Sequence, residues 1–185
     1  MARGRPSKKS HIVIAACDLF TLQGYQATSI DQVVAAAGVS KPTVYSNFPT
    51  KLALWEEVLE HIVSQATPSM TEKRLAFAEQ PHSALAAWLA IWESWSSLPE
   101  NLAVYRIFLG EQHKMNDQLL AKFDLFETLL MSALQAWQGH FKVSSQVFVQ
   151  MEALSRQYIL MPRLLNKPID NEAFMTAQLN WLLTL

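Results

Sequence analysis

TSIDQVVAAAGVSKPTVYSNFPTK, residues 28–51, decides the fold. Ser29 stands before a short apolar run, where its hydroxyl can accept from the orphan amides of a helix start, and Gln32 follows at capping-box spacing. Ile30, Val33, Val34 and Ala37 then recur at helical intervals and are expected to form a buried face. Gly38 falls where a chain reversing after a helix needs a left-handed backbone, and Val39 is expected to tuck beneath that turn. Ser40 suits the N-cap of a next helix. Pro42 sits in its first turn, where a missing N–H does no harm, and the helix should end before Pro49. Ala36 or Ala37 supplies a small residue at the helix contact, and Val33, Val34, Val39 and Val44 supply an apolar interior. Ser40, Lys41, Thr43, Ser46 and Asn47 face outward. This is the helix-turn-helix arrangement, whose second helix enters a DNA major groove.

Working outward, Ile12, Ala15, Ala16, Leu19 and Phe20 form the stripe of an amphipathic helix stopped at Gly24. A fourth helix is expected from Lys51 to Ala66. Beyond Pro68 the chain reads as helical almost throughout, with breaks near Pro81, Pro99, Gly139 and residues 166–170, and there are no strand-period runs, repeats or low-complexity tracts. The expected class is all-α. It comprises an N-terminal three-helix head over residues 1–50, joined through helix 51–66 to a helical body over residues 51–185.

Half of the 185 residues are apolar and 17% are charged, a folded composition. The net charge of -1 conceals a gradient, since residues 1–51 carry +4 and the rest carry -5. A basic end on an acidic body suits a polyanion partner. The longest apolar run, Ala84 to Trp92, is too short to span a bilayer, for which a helix needs about 18 residues or more. The basic start MARGRPSKKS lacks the apolar stretch of a secretory signal. The single Cys17 cannot form an intrachain disulfide and reads as a small buried hydrophobe. A cytoplasmic location without membrane contact is therefore expected. Among catalytic signatures there is no P-loop, Rossmann glycine pattern, HExxH or nucleophile elbow. His11, His61, His82, His113 and His140 lack metal-ligand spacing with Cys17. No enzyme activity, cofactor or metal is expected.

The run TSIDQVVAAAGVSKPTVYSNFPTKLALW resembles the DNA-binding region of the TetR family of regulators. The likeness extends back through LFTLQGYQATS to the basic start GRPSKK. It implies that Thr28 and Ser29 meet the phosphate backbone and that Ser40 to Asn47 lie in the groove. It further implies that Tyr45 packs on the backbone and donates its hydroxyl to a phosphate, and that Lys51 contacts phosphate beside the fourth helix. Such contacts position without specifying. Direct base reading would fall to Lys41, Pro42, Thr43, Ser46 and Asn47. Many relatives carry glycine or an aromatic where this chain has Pro42 and Ser46, which leaves the base preference open. Arg3 and Arg5 could enter an adjacent minor groove.

In the body, Val147, Met151, Leu154, Tyr158, Met161 and Leu165 are spaced 4, 3, 4, 3 and 4 residues apart, a helix-packing seam, and Phe174, Ala177, Trp181 and Leu185 extend it. The resemblance implies a dimer interface built from the last two helices. Double-stranded DNA favours the same state, because paired recognition helices must sit about 34–36 Å apart or a multiple of it. The expected target is a palindromic operator. Trp88, Trp92 and Trp95 read first as core and second as the wall of an aromatic pocket, with Tyr105, Arg106, Phe108, His113, Met115, Phe123 and Phe126 as further candidates. The resemblance then implies a homodimeric repressor released from DNA by a small hydrophobic or aromatic inducer. The alternative is an architectural or adaptor protein whose body binds another protein.

Overall fold

Helix α1, Lys8–Ala27, begins on the hydroxyl of Ser7, which accepts from the Ser10 amide at 3.1 Å. Its helical geometry breaks at Gly24, whose φ of 82° and ψ of 169° lie in a region open essentially to glycine alone. One further turn follows before the chain enters α2, Ile30–Ala37. Helix α3 spans Lys41–Asn47 and α4 spans Lys51–Glu79. Then come α5, Ala84–Ser96, α6, Pro99–Glu111, and α7, Asp117–Phe141. The chain ends with α8, Ser145–Ser155, α9, Met161–Leu164, and α10, Glu172–Leu182. The computed structural model describes residues 7–79 and 83–185. Arg3, Arg5 and the break near Pro81 therefore lie outside the described residues, among which no strand occurs.

One of the expected helix ends is displaced. Helix α4 passes through Pro68 instead of ending near Ala66. A proline inside a helix removes one backbone hydrogen bond, a loss that continued packing can offset; Ala66 and Met70, on either side of it, are both buried. The break expected near Gly139 falls just past it, where α7 ends at Phe141. One glycine costs a helix only about 1 kcal/mol.

The chain divides into two units, Met1–Ser64 with Ala103–Asp124, and Gln65–Leu102 with Leu125–Leu185. In the first, α1 packs against both α2 and α3. Ile12, Ala16 and Phe20 from α1, Val33, Val44, and Leu54, Trp55 and Val58 from α4 are buried, and Phe20 meets Trp55 edge-on at 5.7 Å. Cys17 is buried as well. Along α2, Val33 is fully buried while Ile30, Val34 and Ala37 are half-buried; Ala36 is exposed, so Ala37 is the small residue facing inward.

The second unit is centred on indoles. Trp88 lies 4.6 Å from Trp137 and 6.4 Å from Trp92, and meets Phe148 edge-on at 5.8 Å, while Trp95 lies 4.5 Å from Phe126. The Trp88 Nε1 donates to Ser155 Oγ and the Trp137 Nε1 to the Ala84 carbonyl, each at 2.8 Å. Burial of these polar edges therefore leaves neither donor unmatched.

Between α8 and α9, residues Arg156–Leu160 form a widened π turn. Pro162 follows two residues later, and its ring would crowd the carbonyl four residues back in a regular helix. The turn accommodates it by taking in an extra residue, which advances the register. The evenly spaced seam from Val147 to Leu165 does not form one face: Leu154, ahead of the turn, is already half-buried, and the turn carries the residues beyond it further round. Val147 and Met151 point into the unit's own core, whereas Met161 and Leu165 are exposed.

Candidate nucleic-acid interface

The α2–turn–α3 segment is built by local bonds. Ser29 Oγ accepts from the Gln32 amide at 3.2 Å and the Gln32 side chain accepts from the Ser29 amide at 2.7 Å, the reciprocal box expected of that spacing. At the far end Gly38 is left-handed, φ 63° and ψ 36°. Its amide reaches the Ala35 carbonyl and that of Val39 reaches the Val34 carbonyl, each at 3.3 Å, closing the helix and turning the chain. Ser40 then caps α3 by accepting from the Thr43 amide at 3.3 Å, with Pro42 in the first turn.

Val44 and the following Phe48 anchor α3 in the core. The opposite side carries Lys41, Pro42, Tyr45, Ser46 and Asn47, all exposed, with Thr43 half-buried beside them. These side chains are held in place before any partner arrives. Ser40 and Thr43 hydroxyls share a bond of 2.7 Å; Ser46 Oγ and Asn47 Nδ2 donate to the Thr43 carbonyl at 3.0 and 2.8 Å. Lys41 pairs with Asp31 of α2 at 2.8 Å, and that carboxylate raises the lysine's pKa above its ordinary value. The result is a polar, pre-ordered helix face of groove-reading chemistry.

Around it the expected phosphate contacts separate. Ser29 is exposed at the head of α2. Thr28 is 2% exposed, and its hydroxyl donates to the Gly24 carbonyl at 2.8 Å and accepts from Gln23 Nε2 at 3.2 Å, so its side chain serves the turn. Lys51 opens α4 with its ammonium 4.2 Å from the centre of the Tyr25 ring, and burial lowers its pKa. Burial, and secondarily Glu111, push the Tyr25 phenol up to about 12.

Sequence reading missed Glu111, although its carboxylate organises this corner. Only 5% exposed, it accepts from Gln26 Nε2 and, at 2.8 Å, from Lys114 Nζ. The Lys114 bond holds its carboxyl below the usual range. Glu111 lies 85 positions from Gln26, and no periodicity or motif marks such a pair.

The residues expected to line a pocket are not gathered into one unit. Trp88, Trp92, Trp95 and Phe126 belong to the second unit, all 0% exposed. Tyr105, Arg106, Phe108, His113, Met115 and Phe123 belong to the first. There Phe108 and Phe123 stack at 3.6 Å, Tyr105 meets Phe123 edge-on at 6.0 Å, and His113 is exposed. Adjacent aromatic residues in sequence do not by themselves disclose which helical turn faces which unit.

On the surface of the second unit, Gln150, Ala153 and Leu154 of α8 and Gln178, Trp181 and Leu182 of α10 line a groove of about 420 Å³. Trp181, Phe174, Leu165, Met161 and Val149 are exposed on this unit, and Leu154 and Tyr158 are half-buried. Among the described residues no helix is long and apolar enough to cross a membrane, and no cluster of His, Cys, Asp and Glu could hold a metal ion.

The profile of the family described as bacterial regulatory proteins, tetR family, matches residues 12–58. The chain is 36% identical over 77 residues to the HTH-type transcriptional activator FasR of Mycolicibacterium smegmatis, covering 38% of this chain and 35% of that protein. It is 31% identical over 91 residues to the HTH-type transcriptional repressor ComR of Escherichia coli, covering 48% and 43%. The matched region thus spans less than half the length of either relative. Over almost its full length the chain shares its fold with a TetR transcriptional regulator from Legionella pneumophila, at a TM-score of 0.70 and 16% identity, covering 97% of each chain. A transcriptional regulator from Saccharomonospora viridis, crystallised in complex with choline, gives 0.68 at 17% identity, covering 95% of each.

Proposed function

Since residues 12–58 match the tetR family of bacterial regulatory proteins, we propose that the chain is a homodimeric transcriptional regulator that binds a palindromic operator through α3 and represses until a small molecule releases it. DNA binding is assigned to residues 1–50, joined through 51–66 to a ligand-binding and dimerising region over 51–185. The observation that carries the reading is the exposed polar face of α3, ordered by a capped α2 and a left-handed Gly38. Lys41, Pro42, Thr43, Ser46 and Asn47 read bases from that face; Ser29, Tyr45 and Lys51 hold phosphates. The exposed apolar surface around Trp181 supports self-association, which sets two α3 helices on one duplex.

The regulating ligand is a hydrophobic or aromatic small molecule taken up beside the Trp88, Trp92 and Trp95 cluster. To act, it must bind the DNA-competent and released states with different affinity.

Selection from a random duplex pool tests the reading directly. The expected product is a palindrome whose half-site centres lie one or more helical turns apart. Recovery of no preferred sequence, or of single half-sites bound by monomers, would sink it. On the selected duplex, Lys51→Ala is expected to weaken binding to all sequences alike. It should also reduce the salt slope by about two, because each subunit then neutralises one phosphate fewer. An unchanged slope would remove Lys51 from the interface.

A further inference from the structure

A buried carboxylate beside a DNA-reading head is unusual chemistry, because its negative charge opposes the phosphates and its burial is costly without partners. Glu111 has those partners. Lys114 neutralises it from the same turn, at 2.8 Å, and Gln26 donates to it from the single helical turn that follows the Gly24 break. From that turn a continuous set of bonds leads into the head. The Thr28 hydroxyl closes on the Gly24 carbonyl; Gln23 Nε2 bridges Thr28 Oγ1 and Gln32 Oε1 at 3.2 Å each; Gln32 in turn holds the Ser29 amide. Tyr25, next to Gln26, carries the Lys51 ammonium over its ring.

We infer that Glu111 is a positioning residue for DNA binding: by fixing Gln26 it sets the turn between α1 and α2, and with it the presentation of Ser29 and Lys51 to phosphate. The inference rests on the DNA-binding reading above. Glu111 touches no DNA in this scheme and acts through the residues it holds. Backbone break and buried acid belong together here, since a turn released from helical geometry at Gly24 needs an external anchor to adopt one orientation.

The test compares full-length wild type with Glu111→Ala, Gln26→Ala and the double variant on the selected operator, alongside thermal unfolding and spectrophotometric titration of the tyrosines. Glu111→Ala is expected to lower operator affinity at least about tenfold, the worth of one hydrogen bond to a charged group. The Tyr25 phenol should titrate closer to its ordinary value. Gln26 is exposed and Lys114 still pairs with the carboxylate, so Gln26→Ala should stay folded with its thermal midpoint lowered only a little and still lose affinity. The double variant should bind no worse than the weaker single one, as residues acting in one path do.

Folded Glu111→Ala that binds like wild type overturns the inference, as does additivity of the two substitutions. Should Glu111→Ala fail to fold, Gln26→Ala decides alone, and wild-type affinity in that variant overturns the inference. Failure of the wild type itself to select a duplex would instead remove the DNA-binding reading, and the inference with it.

Discussion

On the proposed dimeric reading, Trp181→Glu combined with Phe174→Glu is expected to yield monomers and to lower affinity for a two-half-site operator by about 100-fold or more. Both side chains are over half exposed in the isolated chain, at 56% and 52%, so the substitutions should leave the fold intact. In an interface each would place a carboxylate where an indole or phenyl ring meets another apolar surface, and burying an unpaired charge is prohibitive. Loss of the partner turns a linked second binding event into an independent one, and linkage is worth about 10² to 10⁴ in avidity. Affinity for an isolated half-site should hardly change. Sedimentation and titration on full and half operators measure both quantities. A double variant that remains dimeric would place the interface elsewhere, and one that is monomeric yet binds the full operator normally would break the link between dimerisation and DNA binding.

Trp88→Ala should reduce unfolding free energy by about 3–5 kcal/mol, the range for deleting a large aromatic from a packed core. The indole is 0% exposed and touches Trp137, Phe148 and Trp92 within 4.6 to 6.4 Å. Its polar edge is matched by Ser155, whose own hydroxyl keeps the Met151 carbonyl at 2.8 Å when the ring is gone. The cost therefore comes mainly from the cavity and the missing ring packing rather than from an orphaned group. Trp88→Phe should lose far less. Denaturant titration distinguishes two uses of this cluster. A loss near the full range marks it as close-packed core that a ligand must displace; a loss below about 1 kcal/mol would mean the surroundings already yield, as the wall of an adaptable pocket would.

The difference between what was readable and what was not follows the range of the interactions. Ser29 with Gln32, Gly38, and Ser40 with Pro42 each act within a few residues, and the structure realises each as its spacing implies. The same locality misled at Pro68. There a local breaker was outweighed by the helix around it. The seam through Met161 and Leu165 leaves the face of Val147 and Met151 for a subtler reason: spacing projects onto one face only while the helix stays regular, and a widened turn at Arg156–Leu160 rotates what lies beyond it. Thr28 turned inward because its hydroxyl found the Gly24 carbonyl, and Glu111 found Gln26 across 85 positions. Neither bond has a sequence period. The head was legible because its chemistry is short-range, and the aromatic body was legible as buried but not as to which unit each ring would join.

Gly24 has one more consequence, and it concerns handedness. A Cβ built on this residue would meet nothing within 4 Å, so the position is not closed by crowding. It is closed by chirality: φ of 82° with ψ of 169° is the mirror image of ordinary extended backbone. A residue of the opposite hand would adopt this backbone readily, and ribosomal synthesis does not supply one. Glycine, having no hand, is the one encoded residue that enters that conformation at little cost.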